Sequence, residues 1–474
     1  MTLARIWSRG NLDLAWRRLT TGRNIAYKRY FRKLYYAYEL GLDANLNDLH
    51  ARLQGGSFKP RKPTRIYLPK ASGLQRPLTL LAIEDQIVLQ AIANVFSEKV
   101  IRRRRKLELK FIFSNIVQRG RDSIFFLQDW RQSYTLFQAK VEEYYNAGFR
   151  WIAHFDLAAY FDTISHDALL RTAFPRAAHD NRVRIRTCLK TWSSENSNAW
   201  HEHGIPQGPI GSDFLAECFL IPVDEALYKQ KFRFVRYVDD IRLFAKSENA
   251  IRDASIRMEI LLRERGLIPQ GKKHAITNAR TRQEAMGILP SIDPQDDGGQ
   301  PGKQSLPPSK AMQKFRSALA GKPLLITDKT RARYVLFHAE PSPRLLQYVL
   351  RLLPRHPEHI DAFTHYLLQH KRSRQIIREC EALVKASPYD YVRGEMWHIL
   401  AQMLRPSEMR PLISLAVDIV KDKRAGIALK WGALNFLCSA ERAGLGKYGK
   451  FVMHQENALL QALLAPVIPD GRYA

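Results

Sequence analysis

The stretch FVRYVDDIRLF, residues 234–244, sets two adjacent carboxylates, Asp239 and Asp240, between runs of apolar and aromatic residues. The chain around them has a formal charge of +29. Two readings of this local sequence compete. Asp is a common turn residue between strands, so the segment reads as a β-hairpin whose turn is Asp-Asp. Clustered carboxylates also mark divalent-metal sites, where a cation offsets their mutual repulsion. Eleven residues do not choose between the two, and the decision falls to the segments around them.

A chain of 474 residues is too long for one ordinary core, and two or three domains are expected. The apolar fraction, 45%, is that of a globular protein, and no apolar run is long enough to span a bilayer. The start, MTLARIWSRG, lacks the continuous apolar stretch of a signal peptide, which predicts a cytoplasmic protein. Cys188, Cys218, Cys380 and Cys438 are far apart and form no CxxC pair. They give no support to a zinc module and are expected as reduced thiols.

Lys and Arg number 75 against 46 Asp and Glu. That excess suits a polyanionic partner, nucleic acid before membrane, since no basic helix has bulky aromatics on its opposite face. The cations run from WRRLTTGRNIAYKRYFRK near the start through RRRRK at 102–106 and on as later single residues. Such a spread fits a groove that follows a phosphate backbone.

Residues 1–60 read as helices, and TRIYLPK, SGLQRP and LTLLAIEDQIVLQAIANVF as strand, turn and an apolar segment ending in helix. Residues 150–290 alternate strands and helices. DPQDDGGQPGKQSLPPSK, 293–310, has the composition of a linker. Beyond it strand signals nearly vanish. Helical stretches separated by Pro354, Pro357, Pro388 and Pro406 recur in pairs at roughly 35–45 residues, which predicts a HEAT-like stack or an irregular helical domain.

Upstream of the paired aspartates lies WIAHFDLAAYFDTISHDALL. Trp151 to Phe155 read as a buried strand that delivers Asp156 at its tip. Ser165 then opens a helix, with Asp167 in its first turn. Between the acidic elements, GIPQGPIGSDFLAECFL reads as a Gly/Pro loop entering a helix that has Phe214, Leu215, Cys218 and Phe219 on one face. Asp156 and Asp239, 83 residues apart, can thus meet on neighbouring strands. Their carboxylates could share two Mg²⁺ ions about 4 Å apart, as in-line phosphoryl transfer requires.

In these segments the chain resembles the bacterial reverse transcriptases, related to group II intron and retron enzymes, over roughly residues 10–290. YVDD is similar to the family's palm hairpin, FDLAAYFDTISHDAL to its first aspartate motif, and QGPIGSDFLAECFLIPVDEAL to the motif supporting nucleotide and template. IYLPKASGLQRPLTL resembles the fingers segment, FSNIVQRGRDSI the one after it, and RGLIPQGKKHAI and AMGIL the motifs closing the palm. The resemblance implies an α+β right-hand fold of fingers and palm followed by an all-α, possibly HEAT-like, C-terminal domain. It divides the chain into N-terminal helices and fingers (1–150), palm (151–292), linker (293–310) and helical domain (311–474).

It also implies roles. Asp156, Asp239 and Asp240 would form the catalytic, metal-binding cluster. Lys70 and Arg76, flanking a turn, would meet the β- and γ-phosphates. Gln207 would meet the nucleotide, and Gly208 would let backbone approach a base pair. Phe161, five residues after Asp156, would stack under the deoxyribose, and Lys273, beside Lys272, would protonate pyrophosphate. The expected activity is RNA-directed DNA polymerisation from deoxynucleoside triphosphates on an RNA template, with DNA as product and no membrane partner.

The family's FRPGRS segment reads VQRGRDS here, a retron-type Val-Thr-Gly element is absent, and no zinc endonuclease follows. A palm joined to a long helical region resembles the defence-associated and abortive-infection enzymes. That implies anti-phage function with a non-coding RNA. Because helical stacks offer long concave surfaces, residues 311–474 are expected to mediate self-assembly or binding of the partner RNA. An intron- or retron-type enzyme and a non-catalytic RNA-binding protein are the alternatives.

Overall fold

The computed structural model describes residues 5–21, 25–28, 30–120, 122–173, 179–193, 202–271, 274–287, 305–453, 457 and 460. These fall into two compact units, one within 1–64 and 79–289 and the other within 65–78 and 290–471. Most of the 293–310 stretch expected as a linker lies outside the described residues.

In the first unit, helix Arg9–Thr21 (α1) packs on Ile83–Arg104 (α2), which is buried along most of its length. Residues 85–97 of α2 are buried all round, Asp85, Gln86 and Gln90 included, because Ile210–Lys229, named α5 below, also packs on it. Gly211 marks the close approach, where a Cβ would lie 3.3 Å from the Leu89 carbonyl oxygen. Trp130–Asn146 (α3) is capped by Asp129, whose side chain accepts from the Arg131 N–H. A short helix, Tyr160–Thr163 (α4), precedes α5, and Glu248–Glu264 (α6) follows it.

The sheet of this unit has four strands. Trp151–Phe155 (β3), Arg233–Tyr237 (β4), Asp240–Ala245 (β5) and Ala275–Asn278 (β6) lie in the order β4-β5-β3-β6, with every neighbour antiparallel. In the register, Trp151 faces Ala245 and Phe155 faces Ile241 on one edge of β3, and Trp151 faces Asn278 on the other. Helix α6 packs on β3 and β5, and α3 on β4. WIAHF and DIRLFA are nearly continuous apolar runs because helices cover the sheet.

The second unit contains the hairpin Thr64–Pro69 (β1) and Gln75–Leu80 (β2) over its residues 65–78. Its turn is closed by the Gly73 N–H donating to the Lys70 carbonyl at 3.0 Å, with Gly73 at φ +83°. The Tyr389 hydroxyl donates to the Gly73 carbonyl at 2.9 Å. Sequence reasoning grouped this hairpin with its neighbours in 1–150, whereas its packing groups it with the C-terminal helices.

Those helices come in pairs: Pro308–Ser317 (α7) with Lys329–His338 (α8), Pro343–Leu352 (α9) with Ile360–Leu368 (α10), Arg374–Ala386 (α11) with Asp390–Met403 (α12), and Ile413–Lys421 (α13) with Ile427–Arg442 (α14). The first members begin at 308, 343, 374 and 413, in steps of 35, 31 and 39 residues. The second members pack on one another in sequence, α8 on α10, α10 on α12 and α12 on α14. This is the repeating pair architecture of a helical solenoid. Ser342 and Ser373 cap α9 and α11 by accepting from the Leu345 and Ile376 N–H groups. At the α12–α14 crossing, a Cβ on Gly394 or Gly432 would run into the facing backbone, so only glycine fits there.

Candidate active site

Strand β3 ends at Phe155, which pairs with Ile241, and one further step of that ladder sets Asp156 beside Asp240. On the other side of β5, Tyr237 pairs with Asp240, leaving Val238 and Asp239 as a two-residue turn. The turn is therefore Val-Asp, not the Asp-Asp expected from sequence. Asp240 is drawn into the ladder because its Oδ1 accepts from His154 Nε2 at 2.9 Å and lies 3.5 Å from Arg242 Nε. Burial pushes the Asp240 carboxyl up, but His154 and Arg242 outweigh it and hold it below the usual carboxylate range. Three carboxylates from distant segments thus gather at one end of the sheet.

A buried ionic network, which sequence reasoning missed, lies under the turn. Val238 has φ +58°, a left-handed conformation that is costly for a β-branched residue. Both of its backbone groups are held. Its N–H donates to Ser114 Oγ at 2.7 Å, and its carbonyl accepts from Arg236 Nη1 at 2.9 Å. Arg236 Nη1 also donates to Glu217 Oε2 at 2.8 Å, and Arg236 Nε and Nη2 clamp Asp224 at 2.8 and 2.7 Å. Ser114 Oγ donates in turn to Glu217 Oε1. The side chains of Arg236, Glu217 and Asp224 are each 1% exposed. Burial works against the Arg236 cation, but Asp224 and Glu217 outweigh it and raise its pKa. Two acids seven residues apart in the apolar helix IGSDFLAECFLIPVDEALYK were the signal in the sequence, because seven residues return to one helix face.

After Asp156 the chain reverses through Ala159, at φ +47°, into α4. Tyr160 is buried and donates its hydroxyl to the Ala216 carbonyl, while Phe161 is half-buried with its ring edge against Tyr160 at 5.9 Å. Of these adjacent aromatics, Phe161 is the one with surface to offer a ligand. Its carbonyl accepts from the Ile205 N–H at 2.9 Å, tying the strand tip to the Gly/Pro loop. In that loop Gln207 is half-buried, its carbonyl accepting from the Thr79 N–H at 2.8 Å, and Gly208 has φ +130°. Lys70 and Arg76 are exposed on the hairpin of the second unit. Lys273 and Lys272 lie outside the described residues.

Asp213, in the first turn of α5, is a second residue the sequence did not single out. Burial, and then Glu217 one helical turn on, push its carboxyl up to about 7. A raised acid must take up a proton on folding, so stability falls as pH rises from about 4 to about 7 and levels off above that. Asp213→Asn removes this dependence. Its stability relative to the parent should therefore climb between pH 5 and 7, by at most about 1.4 kcal/mol per pH unit. Thermal melts of both chains across that range test this, and parallel curves would refute it.

Asp156 and Asp239 offer oxygen donors, the ligands that hard divalent cations take. Among the described residues, one set of three carboxylate and imidazole groups has all its ligand atoms within 4.8 Å of one another, and it is elsewhere: His356, Glu358 and His359. There the Ile326 N–H donates to His356 Nε2 at 3.1 Å, which places the imidazole proton on Nδ1, 3.0 Å from Glu358 Oε1. A cation on Nδ1 would force that proton onto Nε2, against the Ile326 N–H. The set is a structural knot, not a metal site.

Residues 68–290 match the family described as "Reverse transcriptase (RNA-dependent DNA polymerase)". The chain is 25% identical over 194 residues to Protein YkfC of Escherichia coli strain K12, covering 40% of this chain and 47% of that protein. It is 30% identical over 180 residues to an uncharacterized 91 kDa protein in the cob intron of Schizosaccharomyces pombe, covering 38% of this chain and 20% of that protein. It thus spans less than half the length of these relatives. Among solved structures, an apo telomerase from Candida tropicalis aligns at 9% identity and TM-score 0.36, over 85% of this chain and 69% of the telomerase.

Proposed function

We propose that the chain, which belongs to the reverse transcriptase family through the domain in residues 68–290, is an active RNA-directed DNA polymerase. The observation that supports this is the convergence of Asp156, Asp239 and Asp240 at one end of a four-stranded antiparallel sheet. In this reading Asp156 and Asp239 bind divalent cations, two Mg²⁺ by the chemistry of in-line transfer, which lower the pKa of a primer 3′-hydroxyl and neutralise the triphosphate. Asp240, engaged by His154, holds the cluster in register. Gln207 and Gly208 face the nucleotide, and Lys273 donates a proton to pyrophosphate. The test is incorporation of deoxynucleotides by the purified chain on RNA, on DNA and without template. No incorporation on RNA under any divalent metal would refute the reading.

Sugar choice falls to Phe161. The chemistry at the metals is the same for ribo- and deoxynucleotides, so discrimination needs a side chain beside the 2′ carbon. A 2′-hydroxyl pressed against the ring loses its water without gaining a partner, at a cost of roughly 1–3 kcal/mol. Phe161→Ala should raise ATP use relative to dATP by about tenfold or more, the equivalent of ~1.4 kcal/mol, while weakening dATP binding. An unchanged ratio would make Phe161 simple packing.

The solenoid that follows the polymerase domain supports a role in anti-phage defence with a non-coding RNA, and self-association through those helices. Sequencing the nucleic acid that copurifies with the chain, with phage plating on cells that express it, tests that role. Random host fragments and unchanged plating would refute it.

A further inference from the structure

Helices α7, α9 and α11, the first members of their pairs, turn long cations outward: Lys310 and Arg316, Arg344 and Arg351, Arg374 and Arg378. Two interactions join the three helices. The Arg316 guanidinium sits 5.6 Å from the centre of the Tyr348 ring, linking α7 to α9, and Gln347 Nε2 donates to Gln375 Oε1 at 3.3 Å, linking α9 to α11.

Helix α6 of the first unit gives the contrast. Its outward arginines, Arg252, Arg257 and Arg263, each pair with the acid four residues before, Glu248, Asp253 and Glu259. Those charges are neutralised within the helix. On α9 and α11 none of Arg344, Arg351, Arg374 and Arg378 has a carboxylate within ion-pair distance among the described residues. Helix α9 has no acid at all, and the acids of α11, Glu379 and Glu381, are half-buried. Four guanidinium groups are left facing solvent with their charge uncompensated.

We propose that the α7–α9–α11 face binds the phosphate backbone of single-stranded RNA. A planar guanidinium matches phosphate oxygens bidentately, and uncompensated cations gain most by displacing counterions from a polyanion. At 1.5 Å rise per residue, Arg374 and Arg378 are about 6 Å apart along their helix and Arg344 and Arg351 about 10 Å, so the charges form an extended track. Tyr348 and the guanidinium over it supply flat faces on which an unpaired base stacks. A lipid surface would need bulky apolar residues alongside the cations, and none of the exposed large hydrophobic side chains lies on these three helices. RNA as the occupant rests on the polymerase reading, in which RNA is the strand the chain must hold.

The test uses the full chain with Arg344→Glu, Arg351→Glu, Arg374→Glu and Arg378→Glu together, and a second chain with the same four arginines changed to Gln. Binding of a fluorescein-labelled single-stranded RNA is followed by anisotropy across a salt titration, with DNA of the same sequence in parallel. The Glu chain should lose at least tenfold in RNA affinity, and the slope of log K against log salt should fall by roughly 3, about 0.7 for each phosphate no longer neutralised. The Gln chain, which adds no repulsion, should lose less affinity with the same fall in slope. Deoxynucleotide incorporation at saturating short primer–template should stay within about twofold of the parent. Unchanged RNA affinity and slope in both chains would overturn the proposal, and a loss confined to DNA would overturn the assignment to RNA. Anisotropy does not depend on catalysis: an Asp239→Asn chain, unable to polymerise, should bind RNA like the parent, which separates failure of this surface from failure of the polymerase reading.

Discussion

Asp239→Asn combined with Asp240→Asn should reduce deoxynucleotide incorporation by several orders of magnitude while RNA affinity stays within a few-fold of the parent. Asn keeps the shape of Asp and removes its charge, so the sheet closes but no longer attracts a divalent cation to the turn. Without that cation the triphosphate charge is not neutralised and the 3′-hydroxyl is not activated, and each is a large electrostatic contribution to the barrier. Incorporation across a metal titration, anisotropy with labelled RNA and a thermal melt on the same preparation give the three readouts. Parent-like incorporation would place the chemistry somewhere other than this sheet.

Arg236→Met should destabilise the first unit by about 3–5 kcal/mol, because it strips the buried Asp224 of its cation and leaves the buried Glu217 to Arg104, 3.4 Å away. Arg236 is bonded to both Glu217 and Asp224, each 1% exposed. Changing Glu217→Gln and Asp224→Asn in the same chain should recover much of that stability, since no buried charge is then unpaired. Activity should not return with it. The Val238 carbonyl would still lack its Arg236 donor, and the strained φ of the turn that carries Asp239 would be held only through Ser114. Hydrogen exchange at the β4 and β5 amides reads the stability of this unit separately from the solenoid. A single variant as protected as the triple one would mean that the acids find other partners.

The sequence made the palm legible because its motifs are short, local and tied to chemistry. Asp156 at a strand tip, the loop around Gly208 and the two acids after Val238 each follow from residue type and immediate neighbours. Phe161 was set apart from Tyr160 only by the family resemblance, and the two also differ in burial, Tyr160 being buried and Phe161 half-buried. The paired helices of the second unit could be read from their prolines and apolar spacing. What could not be read was set by interactions between distant residues. Nothing near Ser114 announces that its hydroxyl will sit under Val238, 124 positions later. Arg236 looks like one more cation in a basic chain until α5 brings two acids to it. The hairpin around Gly73 sits in the sequence among first-unit residues, and only the hydroxyl of Tyr389, 316 positions on, reveals the other grouping.

Strand β3 lies in the interior of its sheet, and both of its partners come later in the chain: Ala153 pairs with Leu243 on one edge and with Ile276 on the other. At about 5–20 residues per second of synthesis, the ribosome releases β3 several seconds before β5 exists and longer still before β6 does. Through that interval the growing chain holds an apolar strand with two bare edges, the kind of template that recruits other strands. Helix α6, which packs on β3, is made later than β5, so its cover is missing through the same interval. A nascent chain that stops before residue 239 therefore has the first aspartate but neither of the two that join it at the end of the sheet.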